Sequence, residues 1–174
     1  VPAGQTSFSD RVYGEIEVDN KEIDDFIIQR TDGTPIYNFT VVVDDSDMEI
    51  THVIRGEDHL TNTPKQLIIY EALNGQIPQF AHVPMILGSD GKRLSKRHGA
   101  KGVQEYQTMG YLTEALLNYL ALLGWSPGDE REIFTAEELM KGFSVARIVK
   151  KPAVFDEQKL TWVSGQHMMG NSPQ

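Results

Sequence analysis

The stretch Ile50-Thr-His-Val-Ile-Arg-Gly-Glu-Asp-His59, together with the residues after it as far as Leu87, decides the fold. Ile50 to Ile54 is a short apolar run, the pattern of a buried strand. It ends where a polar group begins: Arg55, Gly56, Glu57, Asp58 and His59. Thr63 and Gln66 have the spacing of a capping box, and Pro64 falls at the first helical position, where its missing N–H costs nothing. Leu67, Ile68 and Ala72 share a face of the helix so begun, and Gly75 marks its stop. His82-Val-Pro-Met-Ile-Leu87 reads as the next strand. Strand, helix and strand make half of a doubly wound α/β unit, and such folds bind ligands beyond the carboxyl ends of their strands.

At that end lies Gly88-Ser-Asp-Gly-Lys-Arg-Leu-Ser-Lys-Arg-His-Gly-Ala-Lys-Gly102. It gathers Lys92, Arg93, Lys96, Arg97 and Lys101 in a chain that is otherwise acidic. Glycine lets a backbone approach a ligand closely. The basic side chains and the Ser95 hydroxyl can hold a polyphosphate while its charge redistributes. A solvated basic loop is the plainer alternative. A P-loop needs G-x-x-x-x-G-K-[ST]; Gly88 and Gly91 are too close, and no Ser or Thr follows Lys92. Gly99-Ala-Lys-Gly102 is a literal G-x-x-G, the tetrapeptide with which KH modules clamp a nucleic-acid backbone, so a non-catalytic RNA-binding module stands as a rival.

Upstream, Val12 to Val18 alternates like a half-buried strand. Asp25-Phe-Ile-Ile-Gln-Arg30 is a stronger strand candidate. Asp32-Gly33 signals a tight turn, but Pro35 cannot donate to a ladder and argues against a hairpin. Residues 36–43 are β-branched, which favours a strand. Downstream of 103, Leu112, Ala115, Leu116, Tyr119, Leu120 and Leu123 recur at helical spacing. Thr135 with Glu138 forms a second capping box, stapled by Phe134 and Leu139; Asp156 caps a last helix, stapled by Phe155 and Leu160. Trp125 and Trp162 read as core residues. The composition changes near residue 101, from α/β to all-α.

With 174 residues and a net charge of −9, the chain is long enough for a real core and too acidic for a generally basic nucleic-acid module. Any nucleic-acid contact is therefore local. No apolar run approaches the roughly 20 residues of a membrane span. With no cysteine, disulfides and thiolate metal sites are excluded. These features fit a cytoplasmic protein. Val1 and the Gly170-Asn-Ser-Pro-Gln174 end read as cuts through a longer chain.

Arg93-Leu-Ser-Lys-Arg97 resembles the K-M-S-K-S signature of class I aminoacyl-tRNA synthetases. Asp32-Gly-Thr-Pro-Ile-Tyr37, Val43-Asp-Asp45, Val53-Ile-Arg-Gly-Glu-Asp-His59 and Gly110-Tyr-Leu-Thr-Glu-Ala-Leu-Leu-Asn-Tyr119 occur in the order seen in bacterial-type glutamyl-tRNA synthetases. The resemblance runs over essentially the whole chain. It implies a central fragment: residues 1–30 end an acceptor-binding insertion, 31–101 form the second half of a Rossmann-like catalytic domain, and 102–174 begin a helical stem-contact region. It also implies that residues 36–43 are helical.

The implied reaction activates glutamate with ATP and passes it to tRNA(Glu), with Mg²⁺ accompanying ATP. Lys96 would be the catalytic group, stabilising charge on the phosphates. Arg93, Leu94, Ser95 and Arg97 would bind ATP with it, as would Glu57, Asp58 and His59. Arg55 would grip the substrate glutamate's side-chain carboxylate beside Tyr37. A monomer is expected at full length. The H-x-G-H signature is absent from this sequence, so the fragment is expected to be inactive alone. A paralogue that glutamylates queuosine on tRNA is disfavoured by Phe155-Asp-Glu-Gln-Lys-Leu-Thr-Trp162.

The residues themselves leave alternatives open. A half-buried arginine needs an anion, and a salt bridge to Glu57 or Asp58 would satisfy Arg55 as well as a substrate would. Tyr37 could be a core aromatic with a wet tip. Asp44-Asp45 reads as an exposed helix end. The five histidines show no metal spacing.

Overall fold

Two strands, β1 (Gln5–Asp10) and β2 (Gly14–Asp19), form an antiparallel hairpin in which Phe8 faces Ile16. β1 alternates cleanly between exposed and buried positions, turning Thr6, Phe8 and Asp10 inward. The chain then runs through a 3-10 turn (Asn20–Glu22) to helix α1 (Tyr37–Asp47), strand β3 (His52–Gly56), a second 3-10 turn (Glu57–Asn62), helix α2 (Thr63–Ala72) and strand β4 (Gln79–Val83). β3 and β4 are parallel, in register from His52 opposite Gln79 to Gly56 opposite Val83. β4 also runs parallel to β1 through Asp10 and Phe80, giving the sheet order β2-β1-β4-β3. This computed structural model describes residues 1–95 and 101–170.

Packing divides the chain into two units, Val1–Val83 and Pro84–Gln174. The composition changes later, near 101, and strand pairing accounts for the gap. β5 (Ile86–Leu87) pairs in parallel with β6 (Ala153–Val154), which draws the basic stretch into the C-terminal unit. Pro84, which has no N–H, lies between β4 and β5, so the single strand expected over 82–87 is two. The N-terminal core gathers Phe8, Val42, Leu67, Ile69, Tyr70 and Phe80. The C-terminal unit holds α3 (Val103–Thr108), α4 (Thr113–Leu122), α5 (Ala136–Gly142) and α6 (Glu157–Gly170). Its main core places Ala115, Leu116, Tyr119 and Leu123 against Leu160 and Val163.

Several expectations hold. Helix α1 forms despite its β-branched residues. The Thr135 hydroxyl accepts from Glu138 N–H at 3.2 Å while the Glu138 carboxylate accepts from Thr135 N–H at 2.8 Å. Asp156 accepts from Gln158 and Lys159 N–H groups at 2.8 and 3.1 Å.

Others do not. Asp25 to Arg30 forms no strand: its pairing among the described residues is a single bridge from Gln29 to Pro35, with no neighbouring strand alongside. Pro35 tolerates that bridge since the donated bonds fall on either side of it, from Arg30 N–H to Thr34 and from Ile36 N–H to Ile28. On α2 the buried face is Thr63, Gln66, Leu67 and Tyr70, with Ala72 exposed; the left-handed residue after the helix is Asn74 (φ 52°), ahead of Gly75. Leu120 and Trp162 are exposed, Trp162 at 45 %, so only Trp125 of the two tryptophans joins the core.

Candidate functional site

Arg55 stands at the carboxyl end of β3, directly opposite His82 on β4. Its Nε donates to His82 Nε2 at 3.1 Å. Its Nη2 donates to Thr63 Oγ1 and to Gln66 Oε1, each at 2.8 Å, and to the His59 carbonyl at 3.5 Å. Thr63 and Gln66 therefore do not make the expected capping box: α2 has no side-chain cap bond, because the preceding 3-10 turn feeds directly into it and both side chains are turned to Arg55. Gln66 is fixed in turn by donating to Asn38 Oδ1 on α1 at 3.0 Å. The guanidinium also lies 5.6 Å from the Phe80 ring centre, a cation–π distance.

No carboxylate is among these hydrogen-bond acceptors, so the alternative of a salt bridge from Arg55 to Glu57 or Asp58 is not what the structure shows. Burial lowers the Arg55 pKa, and the nearby Tyr37 and Asp45 work against that shift. The bonds use Nε and Nη2, and none of them uses Nη1. A guanidinium so held is fixed in direction, and its Nη1 N–H groups lie outside these four bonds.

Behind Arg55 lies a buried pair. His82 is fully buried and Asp10 is 2 % exposed. His82 Nδ1 stands 2.7 Å from Asp10 Oδ2. Since arginine only donates, His82 Nε2 accepts and the imidazole proton sits on Nδ1, donated to Asp10. Asp10 also accepts from the N–H groups of Val12 and Tyr13, both at 2.9 Å, and of His82 at 3.1 Å. Burial pushes the Asp10 pKa up, but these hydrogen bonds outweigh it and hold it below the ordinary carboxylate value. Burial lowers the His82 pKa, and although Asp10 opposes this, the imidazole stays below its ordinary value.

Tyr37 begins α1 and is half exposed at 50 %. Its hydroxyl lies 3.3 Å from His59 Nδ1, to which the Asn62 amide also donates at 3.2 Å. Nδ1 is thus the accepting nitrogen of His59, which leaves the proton on Nε2, 4.0 Å from Asp58 Oδ2. Glu57 accepts from the Tyr13 hydroxyl, whose pKa is pushed up to about 12 by burial and then by that carboxylate. A Cβ at Gly56 would come within 2.4 Å of Asp58 Oδ1, so a side chain there would require the Asp58 carboxylate to turn away. The predicted residues Tyr37, Arg55, Glu57, Asp58 and His59 therefore gather at one end of β3.

The basic stretch is a separate construction, in the C-terminal unit. Gly88 N–H donates to the Lys92 carbonyl at 2.8 Å, Gly91 N–H to Gly88 at 3.0 Å, and Leu94 N–H to Ile86 at 2.8 Å. Asp90 accepts from Lys92 N–H at 3.0 Å, and Gly91 takes φ +73°, which its missing Cβ permits. Arg93, Leu94 and Ser95 come directly after this turn. Leu94 and Lys101 line a cleft of about 580 Å³ with Gly88, Asp156 and Glu157. Lys96 and Arg97 lie outside the described residues.

Sequence reasoning missed Asp10, His82, Thr63 and Gln66 as members of the site. A signal existed for one of them: His82 falls on the second parallel strand, where register can bring it opposite Arg55. Among the described residues no group of three or more His, Asp or Glu could hold a metal ion.

The family described as tRNA synthetases class I (E and Q), catalytic domain, matches residues 1–162. A glutamate–tRNA ligase of Nitrosomonas europaea is 59 % identical over 166 residues, which are 95 % of this chain and 35 % of that protein. One from Carboxydothermus hydrogenoformans is 56 % identical over 169 residues, 97 % of this chain and 35 % of that protein. The crystal structure of a glutamate tRNA ligase from Elizabethkingia meningosepticum, in complex with its amino acid, superposes with a TM-score of 0.87 at 34 % identity, covering 98 % of this chain and 38 % of that one. The chain thus spans about a third of the length of these relatives.

Proposed function

We propose, for a chain that belongs to the family of class I tRNA synthetase catalytic domains (E and Q), that it forms part of a glutamate–tRNA ligase. One observation carries the reading. Arg55 is a desolvated guanidinium locked by neutral acceptors, with Tyr37 and His59 close by. Such a group can donate from its Nη1 N–H groups to a carboxylate oxygen, a charge-assisted hydrogen bond. The substrate's side-chain carboxylate sits on Arg55, beside the Tyr37 hydroxyl. The ordered polar partners of Arg55 supply direction without neutralising it.

Glu57, Asp58 and His59 face ATP, with Asp58 nearest the nucleotide. Arg93, Leu94, Ser95, Lys96 and Arg97 are the residues of the basic stretch that bind ATP, and Mg²⁺ would accompany ATP as part of the substrate. The glutamate α-carboxylate attacks the α-phosphate and pyrophosphate leaves; a hydroxyl of the terminal ribose of tRNA(Glu) then attacks the acyl carbon and AMP leaves. Lys96 stabilises the charge that develops in the first step. The functional partition is 1–30 for the end of the acceptor-binding insertion, 31–101 for the second half of the catalytic fold and 102–174 for the stem-contact region. A cytoplasmic protein, monomeric at full length, is the setting; no helix among the described residues is long and apolar enough to cross a membrane.

The test is Arg55→Lys in the full-length protein that carries this sequence. A lysine keeps the charge but loses the planar fork. The expected result is a KM for glutamate raised roughly ten- to hundredfold, the range of about 1.4–2.8 kcal/mol, with KM for ATP nearly unchanged. Equal increases for both substrates would mean that Arg55 is a structural residue.

A further inference from the structure

We propose that Asp10 and His82 are positioning residues that aim Arg55 at the substrate carboxylate, so that amino-acid recognition depends on a buried relay across three strands. The inference rests on the reading of Arg55 as the carboxylate-binding group. The geometry is directional at every step. Three backbone N–H groups and the His82 ring hold the Asp10 carboxylate at the end of β1. The carboxylate holds the His82 proton on Nδ1, and the bare Nε2 then faces the Arg55 Nε–H at 3.1 Å. Were the proton on Nε2, two N–H groups would point at each other. The ring cannot swing away, because Phe80 stacks on it at 6.2 Å between centroids and Phe8 meets it at 6.5 Å. An apolar residue would fill the same volume if packing were the only requirement. The parallel register places His82 opposite Arg55, and the bridge from Asp10 to Phe80 places Asp10 beside His82.

The titratable and charged groups facing His82 are Asp10 from β1, Arg55 from β3 and His59 from the 3-10 turn. Among the described residues, Asp10 is the carboxylate to which the ring is bonded. Asp10→Asn keeps the shape and keeps Oδ1 for the Val12 and Tyr13 N–H groups and, at 3.4 Å, for the His82 backbone N–H, but sets an amide NH₂ where Oδ2 accepted from that N–H and from His82 Nδ1. The imidazole proton then moves to Nε2, and Arg55 loses its acceptor. Outer partners that orient metal ligands change affinity or activity about 10- to 100-fold, and the expected loss here is set on that scale.

Two measurements test this. Nitrogen NMR of the His82 ring in the unmodified chain should show the proton on Nδ1, and in Asp10→Asn on Nε2. A proton on Nε2 in the unmodified chain overturns the relay without any variant having to fold. In the full-length protein, Asp10→Asn should raise KM for glutamate by about tenfold or more while KM for ATP stays within about twofold. An unchanged KM for glutamate, or equal increases in both constants, overturns it. Arg55→Lys is the control. If Arg55→Lys raises KM for glutamate and Asp10→Asn does not, the relay fails alone. If neither variant moves it, the reading of Arg55 fails and the relay with it.

Discussion

The end of β3 and the turn after β5 are both polar, both rich in charge and both at strand ends, yet they are held by different means. The Arg55 site is assembled from residues 10, 55, 63, 66 and 82, which sequence separates widely and the sheet brings together. The basic turn closes through bonds among residues 86–94, and at its base the Leu87 carbonyl accepts from Phe155 N–H at 2.8 Å. A side chain needed to select a substrate must be aimed, and aiming takes partners from several elements. A loop that must wrap phosphates needs charge and glycine more than rigid support. Damage to the first site should therefore appear as lost selectivity, and damage to the second as lost rate.

The largest effect that bears on this contrast belongs to Lys96. Lys96→Ala in the full-length protein should slow adenylate formation by about 100- to 1000-fold, roughly 3–4 kcal/mol, while KM for glutamate and the fold are kept. Pyrophosphate exchange measures it; a full-rate variant would remove the catalytic role from the basic stretch. A smaller effect, confined to the N-terminal unit, comes from acid. The His82 pKa is depressed in the fold, so the unfolded chain takes up that proton first, near pH 6.5. Stability should therefore fall as pH drops below about 6.5, and fall again below about 3.9 as unfolded Asp10 protonates before its folded counterpart. Denaturant titration of the chain between pH 4 and 8 reads the upper step, and His82→Leu should flatten it; an identical profile in that variant would place the sensitivity elsewhere. The smallest effect is local. Thr135→Ala removes the cap of α5 and should cost about 1 kcal/mol, a fall in Tm of about 2–4 °C, with no change in either KM.

The same division decides what could be read from the sequence. The capping residues Thr135 and Asp156 act within four residues of themselves, and both were legible. The strand–helix–strand core from β3 to β4 was legible from periodicity, and α1 from family likeness against its own β-branched preference. Asp25 to Arg30 has strand composition, but a strand needs a partner, and sequence does not say that among the described residues its pairing is the single bridge from Gln29 to Pro35. Thr63 and Gln66 have the spacing of a cap, and that spacing equally puts two acceptors on one face of a helix; only the position of Arg55 decides between the two. Trp162 has the size of a core residue, but α6 buries Leu160 and Val163 and turns the indole outward. Within the site, Tyr37, Arg55 and His59 could be named from motif, whereas their support could not. Asp10 and His82 carry no local pattern, and their meeting depends on which strands are neighbours.

Gly56 has a consequence for how this sequence can drift. Any other residue there would bring its first carbon against the Asp58 carboxylate. The flanking positions do not have that constraint in common: Ile54 points largely into solvent, while Arg55 is held by four hydrogen bonds. Tolerance to substitution should therefore change abruptly from one residue to the next along this short strand. Variation can accumulate at 54, only chemically matched replacement can survive at 55, and at 56 a replacement must be offset by moving the neighbouring carboxylate. A stretch of three adjacent residues thus evolves under three different rules.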